Sequence, residues 1–188
     1  MNNTIHKNTQ GIKYLKNEEW SRLLETIDNY RDKLIVKLLY ATGMRVGELS
    51  KLKLKDIDFQ ERFIHIPAEN TKTKTARTVV VHKETLSELR AYLKIAPPLN
   101  RRRTGRIKRG KIFNLSVRRI EQLIKKYSKI ANIAATPHTL RHTHIVHSLL
   151  NHIPITAIQK QVGHKRLATT QIYSDLAPEQ VREAYERH

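Results

Sequence analysis

The feature that most constrains the fold is a group of three short strand-like segments inside a chain that is otherwise helical in its periodicity. The segments are DIDF, RFIHI and RTVVV, between residues 56 and 81, and the turn-like ENTKTKTA separates the last two. Runs of β-branched and aromatic residues bounded by turn residues are typical of short strands. The sequence therefore predicts a mainly α (α+β) domain with one small three-stranded antiparallel sheet and a basic hairpin tip.

Apolar residues recur at helical spacing on both sides of this sheet. Asn17 is placed to cap a first helix over about 18–29, and a second helix over about 31–41 ends at Thr42-Gly43. A short third helix is expected in MRVGELSKL, and further helices over about 83–94, 117–131, 137–150, 154–162 and 178–187. We expect residues 1–17 to be an N-terminal extension and residues 18–188 to form one domain.

The charge of the chain indicates a polyanionic partner. There are 36 basic and 17 acidic residues, which gives a formal net charge of +19. Such an excess repels itself unless a polyanion shares the surface, and nucleic acid is the usual one. The chain has no cysteine, which excludes disulfides and thiolate metal sites, and it has no long apolar run or secretory signal. These features favour a cytoplasmic, nucleoid-associated protein.

One segment concentrates the positive charge. Pro97 and Pro98 end the preceding helix, and residues 101–111 then contain seven basic residues and no acidic one. Two interpretations stay open, a solvated charged segment and a loop that follows DNA. The candidate DNA-binding residues are Arg101, Arg102, Arg103, Arg106, Lys108, Arg109 and Lys111.

The stretch TPHTLRHTHIVHSLL predicts an anion site at the start of a helix. Thr136 and Pro137 suit the N-cap and first helical position, which places His138 and Arg141 on one face of the first turn. Free backbone N–H groups, the helix dipole and a guanidinium that binds two oxygens together favour a phosphate. The positive helix end should also keep His138 neutral, so that it can accept a proton.

A metal site is the alternative for this stretch. His138 and His142 are four residues apart, and His144 and His147 lie on the same helix. No glutamate follows His138 as in a His-Glu-x-x-His motif, and no carboxylate ligand lies nearby, so metal binding is not favoured.

Two other segments supply further cations. In ATGMRVGELS, Arg45 follows a glycine break, and Glu48 three residues later can pair with it and fix its direction. The hairpin tip NTKTKTAR offers Lys72 and Lys74, which could donate a proton to a leaving oxygen or could simply be solvated. QVGHKRLATTQIYSDL places His164 nine residues before Tyr173. Each piece alone is weak evidence for function.

Taken in order, these motifs resemble the catalytic domain of tyrosine recombinases, which include phage integrases and Xer-type enzymes. The resemblance rests on ATGMRVGEL, a hairpin lysine, H-T-L-R, G-H and then tyrosine, at intervals typical of that family. It implies the tyrosine recombinase (DNA breaking-rejoining) fold and site-specific recombination of double-stranded DNA through a 3′-phosphotyrosyl intermediate. No metal ion, ATP or other cofactor is implied.

The resemblance also implies a role for each motif residue. Arg45 and Arg141 resemble the phosphate-binding arginines, His138 and His164 the two histidines, and Tyr173 the nucleophile. Lys72 is preferred over Lys74 as the hairpin lysine, because Arg77 then falls at the usual distance. Glu48 and Lys74 are supporting residues.

Two features of the chain depart from the family pattern. The family usually carries a helical core-binding domain of about a hundred residues ahead of the catalytic one, whereas about seventeen residues precede the first helix here. We therefore expect a minimal enzyme or a truncated catalytic domain. The segment 97–111 is also longer and more basic than is usual for the family.

The resemblance further implies assembly of copies on DNA, as a tetramer in synapsis, with the C-terminal helix exchanged between protomers. A type IB topoisomerase-like enzyme and a non-catalytic DNA-binding accessory protein derived from a recombinase are the alternative functions. The target sequence and the direction of recombination are left open.

Overall fold

A computed structural model describes residues 13–71, 74–96, 99–101 and 107–165, with the segments 99–101 and 107–109 described by their backbone. The helices in these ranges are α1 (Asn17–Glu25), α2 (Tyr30–Thr42), α3 (Val46–Leu49), α4 (Lys83–Ile95), α5 (Val117–Ile130), α6 (Pro137–Leu150) and α7 (Ile155–Val162). The strands are β1 (Ile57–Asp58), β2 (Phe63–Ile66), β3 (Arg77–Val80), β4 (Leu99–Arg101) and β5 (Ile107–Arg109). The predicted mainly α class with one small three-stranded sheet is confirmed.

Helix α2 is the centre of the fold. Leu34, Ile35, Leu38 and Leu39 are fully buried, and the helix packs against α4, α5 and α6. Asn29 begins α2 by accepting a hydrogen bond from the Asp32 amide. The helix ends where predicted, because Gly43 adopts the left-handed conformation (φ 61°) that stops a helix at little steric cost.

The three-stranded sheet has the order β1-β2-β3 with antiparallel pairing throughout. Ile64 lies opposite Val79, and both side chains are fully buried. Alternation along β3 therefore turns one face of the sheet toward the helices. The strand also packs against α7, which brings the end of that helix beside the first residue of β3.

Three predicted boundaries differ from the structure. Helix α1 begins at Asn17, so Lys16 is the N-cap, and Glu19 accepts a hydrogen bond from its amide at 2.9 Å. The same helix ends at Glu25, because Asn29 already starts α2 after a short connection. Helix α3 is also shorter than MRVGELSKL, with four residues.

The basic segment predicted as a loop contains strands. β4 and β5 pair in antiparallel fashion, with Asn100 opposite Lys108. Five residues separate the two strands in the sequence. Lys111 lies after the hairpin, where it is exposed and forms a single antiparallel bridge to Lys53.

A second, smaller core joins α6 to α7. It consists of Ile145, Val146, Leu149, Ile158 and Val162, with Tyr14 and Ile155 packed against it. No helix in the described ranges combines the length and the apolar character needed to cross a membrane.

Candidate active site

A cleft of about 400 Å³ lies where the start of α3, the start of α6 and the segment after α7 meet. Four of the six predicted catalytic residues line it, together with Val46, Glu121, Thr136 and Pro137. These four are Arg45, His138, Arg141 and His164, from three separate segments of the chain. Lys72 and Tyr173 lie outside the described residues.

Arg45 is a partly exposed residue of this cleft. It is the N-cap residue of α3, and its side chain is 30 % exposed. Glu48 contacts it twice, because one carboxylate oxygen accepts from the Arg45 amide at 2.8 Å and the other from Nη1 at 3.4 Å. The predicted pairing of Arg45 with Glu48 is therefore present, and it fixes the direction of the guanidinium.

Glu48 has a second and closer partner in Arg77. Nη1 and Nη2 of Arg77 donate to the two Glu48 oxygens at 2.8 and 2.7 Å, and the Glu48 side chain is only 2 % exposed. Burial by itself would raise the pKa of Glu48, but the hydrogen bonds and charges of Arg77, and then of Arg45, outweigh it and lower the pKa below its ordinary value. Glu48 is thus a buried carboxylate shared by two arginines.

Sequence reasoning used Arg77 as a marker of spacing and missed this contact. A signal was available, because Arg77 and Val79 lie two residues apart on β3 and so point to the same face. An arginine on the inward face of a sheet needs a buried acidic partner, and Glu48 is the glutamate of the short helix nearby.

The start of α6 has the predicted capping geometry. Thr136 is the N-cap and accepts a hydrogen bond from the Thr139 amide at 3.0 Å, and Pro137 is the first helical residue. The pKa of His138 is lowered by burial first, and then by the positive charges of Arg141 and Arg45. Burial and the two arginines thus favour the neutral ring, the form that can accept a proton.

Arg141 is the buried member of the site, with 4 % of the residue exposed. Its Nη1 donates to the carbonyl of Gly43 at 2.5 Å, and its Nη2 to the carbonyl of Val162 at 2.8 Å. One guanidinium thus joins the ends of α2 and α7 to the first turn of α6. Its position is set by the fold before any ligand arrives.

His164 lies two residues after the end of α7. Gly163 ends that helix in the left-handed conformation (φ 71°), and the His164 amide bonds back to the Gln159 carbonyl at 3.2 Å. Burial, followed by the charges of Arg141 and Arg45, lowers the pKa of His164 to about 4. At neutral pH this imidazole is uncharged and can donate one hydrogen bond.

The other histidines of α6 divide into two groups. The ring of His142 meets that of His138 edge to face, with centroids 4.1 Å apart, next to the cleft. His147 instead bonds the Leu15 carbonyl through Nε2 and the Tyr40 hydroxyl through Nδ1. In the part of the chain that the structure describes, no three His, Cys, Asp or Glu side chains are grouped as metal ligands would be.

Two guanidiniums and two neutral imidazoles around one cleft form a site for a tetrahedral anion. Arginine binds phosphate oxygens in pairs, and a neutral imidazole can accept or donate a proton beside them. The arrangement suits stabilisation of charge that develops on a phosphate during substitution at phosphorus.

Comparison with known proteins identifies the family of the chain. The model of the phage integrase family matches residues 13–180. The chain belongs to the phage integrase family. Tyrosine recombinase XerA of Pyrococcus horikoshii is 35% identical over 175 residues, which cover 93% of this chain and 61% of that protein.

Two solved structures show the same integrase fold. A crystal structure of XerA recombinase has a TM-score of 0.75 and 34% identity, and covers 93% of this chain and 62% of that one. The catalytic domain of bacteriophage HP1 integrase has a TM-score of 0.68 and 27% identity, and covers 92% of this chain and 93% of that domain. The chain thus spans about three fifths of the XerA relatives but matches the isolated integrase catalytic domain over nearly its whole length.

Proposed function

We propose that residues 18–188 form the catalytic domain of a site-specific DNA recombinase that cleaves and rejoins DNA. The observation that carries this proposal is the meeting of Arg45, His138, Arg141 and His164 in one cleft of a phage integrase family chain. Their order along the sequence is that of the family motifs, and their shared surroundings suit a phosphodiester.

In the proposed reaction Tyr173 is the nucleophile. Its oxygen attacks the scissile phosphorus, the bond to the 5′-oxygen breaks, and a 3′-phosphotyrosyl link forms. His138 accepts the tyrosine proton, and Lys72 donates a proton to the departing 5′-oxygen. Attack on the link by the 5′-hydroxyl of a partner strand reverses these steps and releases Tyr173.

The remaining residues stabilise the transition state in this scheme. Arg141, held by two backbone carbonyls, would present its charge to a non-bridging oxygen without reorganisation, and Arg45 would bind from the open side of the cleft. His164 would donate a hydrogen bond to the same phosphate. No step needs an energy source, because the bond energy is kept in the phosphotyrosyl link.

The net charge of +19 supports duplex DNA as the substrate. We propose that the seven basic residues of segment 101–111 contact the DNA backbone. Assembly into a tetramer on paired sites, with exchange of the helix over about 178–187, and a cytoplasmic location at the nucleoid belong to the same proposal.

Covalent trapping tests this function. On a nicked suicide duplex that carries the recombination site, the wild-type chain should give a protein–DNA adduct on a denaturing gel, and Tyr173→Phe should bind the duplex without forming it. Tyr30→Phe is the matched control, because that hydroxyl bonds the Glu88 carbonyl on the surface and should leave the adduct intact. An adduct with Tyr173→Phe would show that another residue is the nucleophile.

The same assay separates the alternatives. A non-catalytic accessory protein would bind the duplex and give no adduct with the wild-type chain. A topoisomerase-like enzyme would form the adduct and relax supercoiled DNA, but would not exchange strands between two sites. The named relatives are recombinases and an integrase, which favours strand exchange.

A further inference from the structure

We propose that Arg77 is a positioning residue for the reaction and holds Arg45 and His164 in a fixed relation to each other. The inference rests on the proposed function, which supplies the reaction that these two residues serve. Arg77 does not line the cleft with them, and so it would act through its neighbours.

On one side Arg77 reaches the helix that presents Arg45. Its two terminal nitrogens bind both oxygens of Glu48, and the same carboxylate accepts the Arg45 amide and Nη1. Glu48 therefore lies between the two arginines. Because the carboxylate is buried, it needs both partners and cannot turn toward solvent. A substitution of Arg77 should therefore change the position of Arg45.

On the other side Arg77 reaches the end of α7. Its Nε donates to the Gln161 carbonyl at 3.1 Å, one residue before the Val162 carbonyl that Arg141 binds. The last carbonyls of a helix lack intrahelical partners, and cations stabilise that end. Two guanidiniums thus donate to consecutive carbonyls, those of Gln161 and Val162, just before Gly163 and His164.

The backbone after α7 packs directly on the Arg77 side chain. A Cβ atom added at Gly163 would lie 2.8 Å from Cδ and 3.0 Å from Nε of Arg77. The left-handed glycine therefore permits a contact between main chain and guanidinium that no other residue type would allow without displacement. His164 is the next residue along the chain, so its placement depends on this contact.

The geometry requires arginine specifically. Three donors of one planar guanidinium meet three oxygens, two on Glu48 and one on Gln161. A lysine ammonium has the same charge but lacks the fixed fork, so it cannot bind all three in place. Arg77→Lys therefore keeps the buried charge pair and removes the alignment.

The first test measures single-turnover cleavage of the suicide duplex at saturating protein. Arg77→Lys should cleave about a hundredfold more slowly with DNA affinity unchanged, because small misplacements of a catalytic group have effects of this size. The control Lys37→Gln removes the pair with Glu88 between α2 and α4, away from the cleft, and should cleave at the wild-type rate.

A double-mutant cycle then separates positioning from a structural role. In a His164→Ala background, Arg77→Lys should lower the cleavage rate only about tenfold, because His164, one of the two residues that Arg77 aligns, is already absent. A purely structural residue would give additive effects. An additive cycle, or full cleavage by Arg77→Lys, would overturn the proposal.

The second test does not depend on cleavage. The amides of Gly163 and His164 both bond the Gln159 carbonyl, and their hydrogen exchange should accelerate about tenfold in Arg77→Lys while that of Thr139 is unchanged. Unchanged hydrogen exchange would refute the proposal that Arg77 positions the backbone after α7, even if the wild-type chain formed no adduct. Glu48→Gln, which removes one charge of the same pair, should give the same pattern if Arg77→Lys does not fold.

Discussion

The two halves of α6 contain two histidines each and have different surroundings. The first half places His138, Arg141 and His142 at or beside the cleft, whereas the second half places His144 and His147 against α2 and the segment before α1. Histidines in the first half meet arginines, and His147 in the second half meets the fixed partners Leu15 and Tyr40. The helix thus lines the candidate active site at one end and makes structural hydrogen bonds at the other. The contacts of its histidines, not their number, distinguish the two ends.

Substitution of Arg141 should have the largest effect, because its side chain both lines the cleft and stabilises the fold through two backbone carbonyls. Arg141→Lys cannot bind the carbonyls of Gly43 and Val162 together, so we expect unfolding free energy to fall by about 2 kcal/mol. The cleavage rate should fall about a thousandfold, because the positive charge at position 141 is then also misplaced relative to the phosphate. Chemical denaturation and single-turnover cleavage measure the two effects.

The matched control for this change is Arg119→Lys, an exposed arginine on α5. It should leave both measurements at their wild-type values. If Arg141→Lys lost activity without losing stability, the two backbone hydrogen bonds would contribute nothing to the fold.

His138→Gln should affect chemistry and leave folding intact. The residue is exposed at the start of α6, and its proposed task is to accept the tyrosine proton, which glutamine cannot do. We expect cleavage about a hundredfold slower and a change in unfolding free energy below about 0.5 kcal/mol. Loss of stability instead of rate would place His138 with the second half of the helix.

His147→Phe should give the opposite pattern. Phenylalanine fills the space but leaves the Leu15 carbonyl and the Tyr40 hydroxyl without this partner, at a cost of about 2 kcal/mol in unfolding free energy. The single-turnover cleavage rate at a temperature where the variant is folded should match the wild type. A large loss of rate in the folded variant would show that the two halves of α6 are coupled.

Part of the site was predictable from local sequence patterns. Thr136-Pro137 indicated the start of α6 and an anion site with His138 and Arg141, because capping is a local property, whereas His164 was assigned by its resemblance to a family motif. Contacts between distant segments were not predictable in this way. The pairing of Arg77 with Glu48 joins residues 29 apart, and that of His147 with Leu15 joins residues 132 apart.

The basic segment shows a second limit of sequence reasoning. Its charge was evident, but composition did not indicate the pairing of Leu99 with Arg109, because a run of charged residues is equally compatible with a solvated loop.

The last expected effect is the acid sensitivity that His144 gives to the fold. Burial, and then the charge of Arg141, lowers the pKa of His144 to about 4, and its Nε2 is buried with no hydrogen-bond partner among the described residues. The unfolded chain, with an ordinary histidine pKa of about 6.5, binds this proton at higher pH than the folded chain does. The stability that a neutral His144 contributes is therefore present above pH 6.5 and is lost as pH falls from 6.5 toward 4.

His144→Asn should flatten this dependence. Unfolding free energy measured by denaturant titration between pH 7 and 4 should fall less steeply than in the wild type, by the contribution of one proton. His142 and His164, with pKa values of about 4, retain part of the slope. The control His65→Asn changes an exposed ring on β2 and should keep the wild-type slope. An unchanged slope in His144→Asn would mean that His144 contributes no acid sensitivity, and that the other histidines with a lowered pKa, His147 among them, account for it.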